Sequence, residues 1–298
     1  MLDAFGKPLK HIAILSPAAE PDWRPVSESA MTGMRDALSA LFLSAVVRNN
    51  PVTGAVSSEN FTLVIQNFQP GSDGWATEDG SYIRQIVGGL KLKDAGVRLP
   101  AHVPRISKLE YDVELLDGCL KCFSSTKAPL SHRIAKSIRW VSYAYANTDH
   151  FPYQSRILLL MIAFEIFSAL PKSLKQERFG DWLDFVWGTA TENKSSLPDA
   201  WAQGKGPYSR VGWWGVEFFR MRNAIIHDGD PNQLSGFDTQ GREFFATGIQ
   251  VFAECVKEIL RQEHLMPPRT ISDDIIRAGI LLKKKQLEAE DGTNDGKS

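Results

Sequence analysis

The chain has 298 residues, 43% of them hydrophobic, and 34 Lys and Arg against 35 Asp and Glu give a net charge of −1. That length and apolar content suffice for a sizeable core and for two domains, while the balanced charge argues against a coat for duplex DNA, which needs a basic excess. Three cysteines cannot make a fully paired disulfide set, and the most apolar run, Ile157 to Leu170, falls short of the ~20 residues of a membrane span and contains Glu165.

Met1 to Leu15 lacks the long apolar stretch and small-residue cleavage site of a signal peptide, so a cytoplasmic location is expected and no membrane partner. His11 to Leu15 and Phe61 to Phe68 have strand-like composition. Ser27 to Val47 reads as a helix with Met31, Met34, Leu38, Leu41 and Phe42 on its apolar side. Gly71 to Gly74 marks a turn, and Tyr82 to Leu90 reads as a short helix or a strand. No phosphate-cradling glycine loop is present: Gly71 and Gly74 have no Lys-Ser/Thr after them, and Gly88-Gly89 is an isolated pair. Leu99 to Pro104, with two prolines in an extended stretch, reads as a linker.

From there the pattern is helical. Ile106, Leu109, Val113, Leu116, Leu120 and Phe123 predict one apolar stripe, with Cys119 and Cys122 on the same helix. The C-L-K-C spacing is not followed by further ligands at a familiar zinc spacing, so two helical cysteines in a reduced compartment is the reading, with a metal- or redox-linked sensor as the alternative. Cys255, between Phe252 and Val256, reads as core. No cofactor and no metal is expected.

Arg133 to Leu170 predicts a polar helix striped by Ile134, Ile138, Val141 and Tyr145, a break at Asp149 and Pro152, and a nearly all-apolar helix whose one acid is Glu165. Arg178 to Trp187 reads as a short aromatic-rich helix, and Lys194 to Gly206 as a loop. Val211 to His227 predicts an amphipathic helix with apolar residues at 214, 218, 221 and 225, stopped by Asp228-Gly229. Phe244 to His264 and Ile271 to Lys285 read as closing helices, and Glu288 to Ser298 as a disordered acidic tail.

The chemistry concentrates at Arg222, Asn223 and His227. Arginine is a permanently charged planar fork suited to phosphate, and histidine exchanges protons near neutral pH. Asn223 and His227 are four apart and share a helix face, while Arg222 sits ~100° round from Asn223, and Ile225 and Ile226 are expected to point into the core. A basic pair at a helix C-terminus also simply complements the macrodipole, by ~0.3–1 kcal/mol. Trp213 and Trp214 could stack on bases, but their place on this helix favours core packing.

The order of a polar helix, an apolar helix with Ala163-Phe164-Glu165, then Arg222-Asn223-Ala-Ile-Ile-His227 followed by Gly229 resembles the HEPN superfamily (higher eukaryotes and prokaryotes nucleotide-binding domains), notably its longer bacterial members. The resemblance covers roughly residues 130 to 265. Members often have glycine directly after the histidine, whereas here Asp228 intervenes. The fold class this implies is mainly α: a C-terminal HEPN-like helical bundle with a smaller N-terminal α+β region. The expected organisation is 1–104 as the N-terminal α+β region, 105–286 as the bundle and 287–298 as a disordered tail.

The resemblance implies a metal-independent endoribonuclease that cleaves RNA by 2′-hydroxyl attack, as in toxin or defence systems, with Arg222, Asn223 and His227 as its catalytic positions. It also implies a homodimer, RNA or nucleotide as ligand, and an antitoxin or other protein as a further partner. The alternative is a non-catalytic HEPN-like dimeric module that binds nucleotide, RNA or a protein. Glu165 has no firm catalytic counterpart and reads first as a packing or hydrogen-bonding acid.

Overall fold

The computed structural model describes residues 27–49, 61, 110–125, 128–145, 152–170, 176–188, 208–227 and 237–280, and the backbone of 68–71, 74–77, 82–86 and 89–90. The expected strand at 11–15, most of the one at 61–68, the linker at 99–104, the loop at 194–206, the helix stop at Asp228-Gly229 and the tail at 287–298 lie outside the described residues. What is described is mainly α.

Helix α1 (Glu28–Arg48) begins where the sequence predicts, with the Ser27 side chain accepting from the Ala30 amide at 3.2 Å, an N-cap that satisfies an otherwise orphan donor. A short antiparallel meander follows: β1 (Phe68–Gly71), β2 (Gly74–Thr77), β3 (Tyr82–Ile86) and β4 (Gly89–Leu90), neighbours in chain order. Gly71 pairs with Gly74 across the first hairpin, and within 82–90 the segments Tyr82–Ile86 and Gly89–Leu90 are paired strands rather than helix.

The helices after it are α2 (Val113–Phe123), α3 (Ala128–Ala144), α4 (Tyr153–Ser168), α5 (Gln176–Trp187), α6 (Arg210–His227), α7 (Phe237–Gln262) and α8 (271–280). α3 and α4 form a hairpin whose joined ends meet at Phe245 of α7, beside Tyr145 at 5.9 Å and Tyr153 at 6.2 Å. α5 and α6 pack as a second antiparallel pair. Gly180, Gly212 and Gly215 let them approach: a Cβ at Gly215 would lie 2.3 Å from Leu183 Cδ1, and one at Gly180 would lie 2.9 Å from Val216 Cγ2.

One residue knits the pairs together. Phe164 is fully buried, and its ring centroid lies 5.4 Å from Phe179, 5.9 Å from Phe218, 6.1 Å from Trp214 and 5.3 Å from Phe252. Edge-to-face and tilted pairs of this kind add to the area each ring buries. Trp213 and Trp214 are both buried, as their place on the helix favours.

Helix α1 shares this core. Phe42 meets Tyr145, just past the end of α3, edge-on at 5.8 Å, the Asp112 amide donates to Ser44 O at 3.0 Å, and Arg139 of α3 pairs with Asp36. Packing therefore runs unbroken from α1 to α8, across the position where the linker was read. Among the described residues α1 alone, with its 21 residues, is long and apolar enough to cross a membrane; its second half, Ala40 to Val46, is buried in the common core.

Two expectations are corrected. The stripe on α2 is rotated: Val113 and Leu120 are exposed, while Leu115, Gly118, Cys119 and Cys122 face the core. Both sets obey helical spacing, and the buried set wins because its small residues admit close neighbours; a Cβ on Gly118 would meet Met266 Cγ at 2.5 Å. Ile225 is half-buried as expected, but Ile226 is 46% exposed, because the helix emerges from the bundle in its last turn.

Under α7 lies a buried charge cluster. Lys257 Nζ sits 2.8 Å from Asp112 Oδ2 and 2.9 Å from Glu254 Oε1. Arg277 of α8 faces Glu254 at 3.5 Å and Glu258 at 3.6 Å, with its guanidinium 4.5 Å over the Trp187 ring. Burial acts against the Lys257 charge, but Glu254 and Asp112 outweigh it and hold the ammonium above its ordinary pKa.

Candidate functional site: the C-terminal end of helix α6

Helix α6 is fixed at its start by a residue from another helix. Asp184 of α5, 4% exposed, accepts from the Ser209 amide at 3.1 Å, from the Ser209 hydroxyl and from the Gly212 amide at 3.1 Å. A carboxylate at a helix N-terminus satisfies orphan amides and complements the macrodipole at once. Gly212 is required there, since a Cβ would lie 2.5 Å from Asp184 Oδ1. The middle of α6 is then locked by Trp214 and Phe218, stacked at 4.8 Å. With its start and centre fixed, the rotation of its last turns is fixed too.

Those last turns carry Arg222, Asn223 and His227. The Arg222 guanidinium donates from Nη1 to Asn223 Oδ1 at 3.0 Å, and its Cζ lies 5.7 Å over the Phe219 ring. Its Nη2 faces Glu165 Oε1 of α4 at 3.8 Å, a distance of charge attraction rather than a hydrogen bond. Arg222 and Glu165 keep 29% and 38% of their side chains exposed. The group is therefore held from three sides yet reachable from solvent.

Glu165 is placed by its neighbour. Phe164 in the aromatic cluster sets the rotation of α4, and the next residue points ~100° away, which is toward α6. The weak Ala163-Phe164-Glu165 element thus has a physical sense: a core ring beside an acid that meets the arginine. Arg220, which lies close in sequence, is occupied by Glu217 at 2.6 Å.

His227 is the exposed last residue of α6. Among the described residues no hydrogen bond or ion pair joins it to Arg222, Asn223 or Glu165. The helix geometry still relates the groups: Asn223 and His227 lie ~40° apart around the axis and about 6 Å along it. The bond to Asn223 draws the guanidinium round toward that same side. Arg222, Asn223, Glu165 and Phe219 are thus brought into contact, and His227 stands one turn further on.

Sequence reasoning missed Phe219 and Asp184. Phe219 was readable as the residue three before Arg222; Asp184 carried no signal, because the helix end it caps lies in another segment.

The cysteines lie elsewhere. Cys119, Cys122 and Cys255 are free thiols and fully buried. Burial, then the neighbouring Cys122 and Asp112, pushes Cys119 far above the ordinary thiol range. Burial pushes Cys255 up to about 12, opposed by the Trp187 Nε1 hydrogen bond at 3.3 Å. Such thiols are protonated and inert at neutral pH. Among the described residues no cluster of three or more His, Cys, Asp or Glu side chains could hold a metal ion.

No family model, no curated protein and no solved structure matches the chain.

Proposed function

We propose that the protein is a metal-independent endoribonuclease of HEPN type, working at the end of α6 and paired with a second copy. RNA brings its own nucleophile, the 2′-hydroxyl. His227 takes the 2′ proton; the 2′ oxygen then attacks the adjacent phosphorus, and the bond from phosphorus to the 5′ oxygen breaks. A second acid, the His227 of another subunit in this reading, returns a proton to the leaving 5′ oxygen. The products are a 2′,3′-cyclic phosphate and a 5′-hydroxyl. Arg222 stabilises the extra negative charge of the pentacoordinate transition state, which is often the largest contribution to such catalysis. General acid–base transfer adds roughly 10²–10⁴-fold.

The hydrogen bond from Arg222 to Asn223 carries the reading. It fixes a phosphate-binding fork on the side of the helix that leads to His227, with part of its surface open. Asn223 already gives its oxygen to Arg222, so its remaining amide hydrogens are what it offers to phosphate. Ile226, exposed beside His227, offers an apolar contact for the second subunit.

The test is RNA cleavage in EDTA by the full chain and by His227→Ala. Metal-independent cleavage that leaves 2′,3′-cyclic phosphate ends and disappears in His227→Ala with helicity retained is the expected outcome. Intact RNA at high enzyme concentration would sink it.

A second reading has an observation of its own. Within one chain no described residue hydrogen-bonds the imidazole, and catalytic bases are normally oriented by a neighbour. A dimeric module that binds RNA or nucleotide through Arg222, with His227 as a cap on the helix dipole, accounts for that. It predicts binding that survives His227→Ala without cleavage. A cytoplasmic toxin or defence role, with an antitoxin as partner, belongs to the first reading.

A further inference from the structure

Helix α3 contains no acidic residue, in a chain whose acids and bases otherwise balance. Its inner face, Ile134, Ile138 and Val141, is buried in the core. Its outer face carries His132, Arg133, Lys136, Trp140 and Tyr143 at the spacing of one helical stripe. His132, Lys136 and Tyr143 are exposed, and Arg133 and Trp140 are half-buried.

One cation of this stripe, Arg139 between Lys136 and Tyr143, is taken by Asp36 of α1. The others are unpaired. Among the described residues none makes an ion pair or hydrogen bond with the side chains of His132, Arg133 or Lys136, and Arg133 Nε is buried without a partner. One turn on, the Trp140 and Tyr143 rings meet edge-to-face at 5.8 Å and 86°, with Tyr143 56% exposed. Trp140 thus braces Tyr143, more than half of which is open to solvent.

We propose that this face of α3 binds single-stranded RNA, with phosphates on Arg133 and Lys136 and a base stacked on Tyr143. Cations that track a backbone, interleaved with an aromatic platform, are what single strands use, because every base has a π face. A duplex keeps its bases stacked and would leave Tyr143 idle. Position supports the assignment: α3 and α4 form a hairpin, so the His132–Arg133 end of the stripe lies at the same end of that hairpin as Glu165, which faces Arg222. A strand laid along α3 leads toward the α6 tip. The choice of RNA over DNA rests on the ribonuclease reading; the surface itself does not.

The test measures binding of a fluorescent, unstructured oligoribonucleotide to the full chain in the His227→Ala background across a range of salt concentrations. Arg133→Gln/Lys136→Gln is expected to weaken binding about tenfold or more and to lower the slope of log affinity against log salt by about 1.4, at about 0.7 per phosphate neutralised on a single strand. Tyr143→Ala is expected to weaken it at least fivefold with the slope unchanged, and Tyr143→Phe to bind as the parent does. Lys136 and Tyr143 are exposed and Arg133 is half-buried, and an unchanged melting temperature confirms folding. Variants that bind as the parent, or a parent that does not bind, overturn the proposal. So does binding to anionic vesicles that follows the cations and ignores Tyr143→Ala, with no such dependence for RNA. Cleavage by the chain with His227 intact is scored separately. Binding through α3 without cleavage defeats the nuclease reading alone, and cleavage with normal binding by the α3 variants defeats the α3 assignment alone.

Discussion

At the scale of single residues, the decisive group is Arg222. Its planar fork meets three different neighbours: an amide oxygen, a ring face and a carboxylate. A lysine in its place would keep the charge and lose the fork, the stacking on Phe219 and the directed bond to Asn223. Arg222→Lys is therefore expected to lower kcat for RNA cleavage by about 10²–10³-fold, the usual cost of removing one transition-state donor. The measurement is single-turnover cleavage at saturating enzyme, and a loss below threefold would remove Arg222 from the chemistry. The place of Arg222, Asn223 and His227 at the end of a helix was legible in the sequence, because helical spacing is local. Glu165 was legible only as an odd acid in an apolar helix. Its partner lies on another helix, and no local pattern encodes a pairing between segments.

At the scale of elements, the α5–α6 pair decides whether the site exists. Two devices hold it: glycines that admit close approach, and Asp184 reaching across to cap α6. Asp184→Ala would take the carboxylate from the Ser209 and Gly212 amides and leave Gly212 the longer bond to the Ser209 hydroxyl at 3.4 Å, at a cost of about 2–3 kcal/mol. Gly215→Ala would press a methyl group onto Leu183 and cost about 1–3 kcal/mol by overpacking. Urea unfolding measures both, and unchanged midpoints would show that the pair is looser than its geometry. Helix α8 is held differently. Asp273 accepts from Thr270 and pairs with Arg261 at 3.0 Å, while Ile271 and Ile275 face outward. Burial acts to raise the Asp273 pKa, but the Thr270 hydrogen bonds and Arg261 outweigh it and hold the carboxyl below its ordinary range. A depressed folded-state pKa means that its stabilisation is present above the unfolded value of ~3.9 and is lost as pH falls through the folded one. Protection factors over 271–280, taken against the intrinsic exchange rate at each pH, should accordingly fall below about pH 4 while those of α7 hold. Equal loss of protection in both helices would contradict this. The sequence predicts these helices well because period and caps are local. It misreads the face of α2 because two stripes there have equal spacing, and only the neighbours distinguish them.

At the scale of the whole molecule, the buried charges join what the chain order separates. Asp112 caps α2, accepting from the Leu115 amide at 3.1 Å, and also receives Lys257 of α7. Lys257 in turn holds Glu254, which faces Arg277 of α8. The start of the bundle, its central helix and its last helix therefore meet in one network, beside the backbone bond that ties Asp112 to Ser44 of α1. None of this was legible in the sequence, where each of these residues reads as an ordinary surface charge. A network of this kind need not stabilise the fold relative to an apolar core, but breaking it leaves a buried charge without its counterion. Lys257→Met leaves Glu254 with Arg277 alone and Asp112 with only the long contact to Arg48 at 4.0 Å, and a cost toward the low end of about 3–5 kcal/mol follows. The double change Lys257→Met/Glu254→Leu removes one of these under-compensated charges and should recover part of that loss. The same lysine sets an alkaline limit. Its folded pKa is raised, so its contribution is complete below the unfolded value of ~10.4 and is lost as pH rises through the folded one. Unfolding free energies at neutral pH and above pH 10.5 test both statements. Both proteins should lose stability over that alkaline window, because burial keeps Cys119 and Cys255 protonated in the fold while they ionise on unfolding, and the parent should lose more than Lys257→Met by the share of the titrating lysine. Losses of equal size in the two proteins would leave the Lys257 pairing as packing alone.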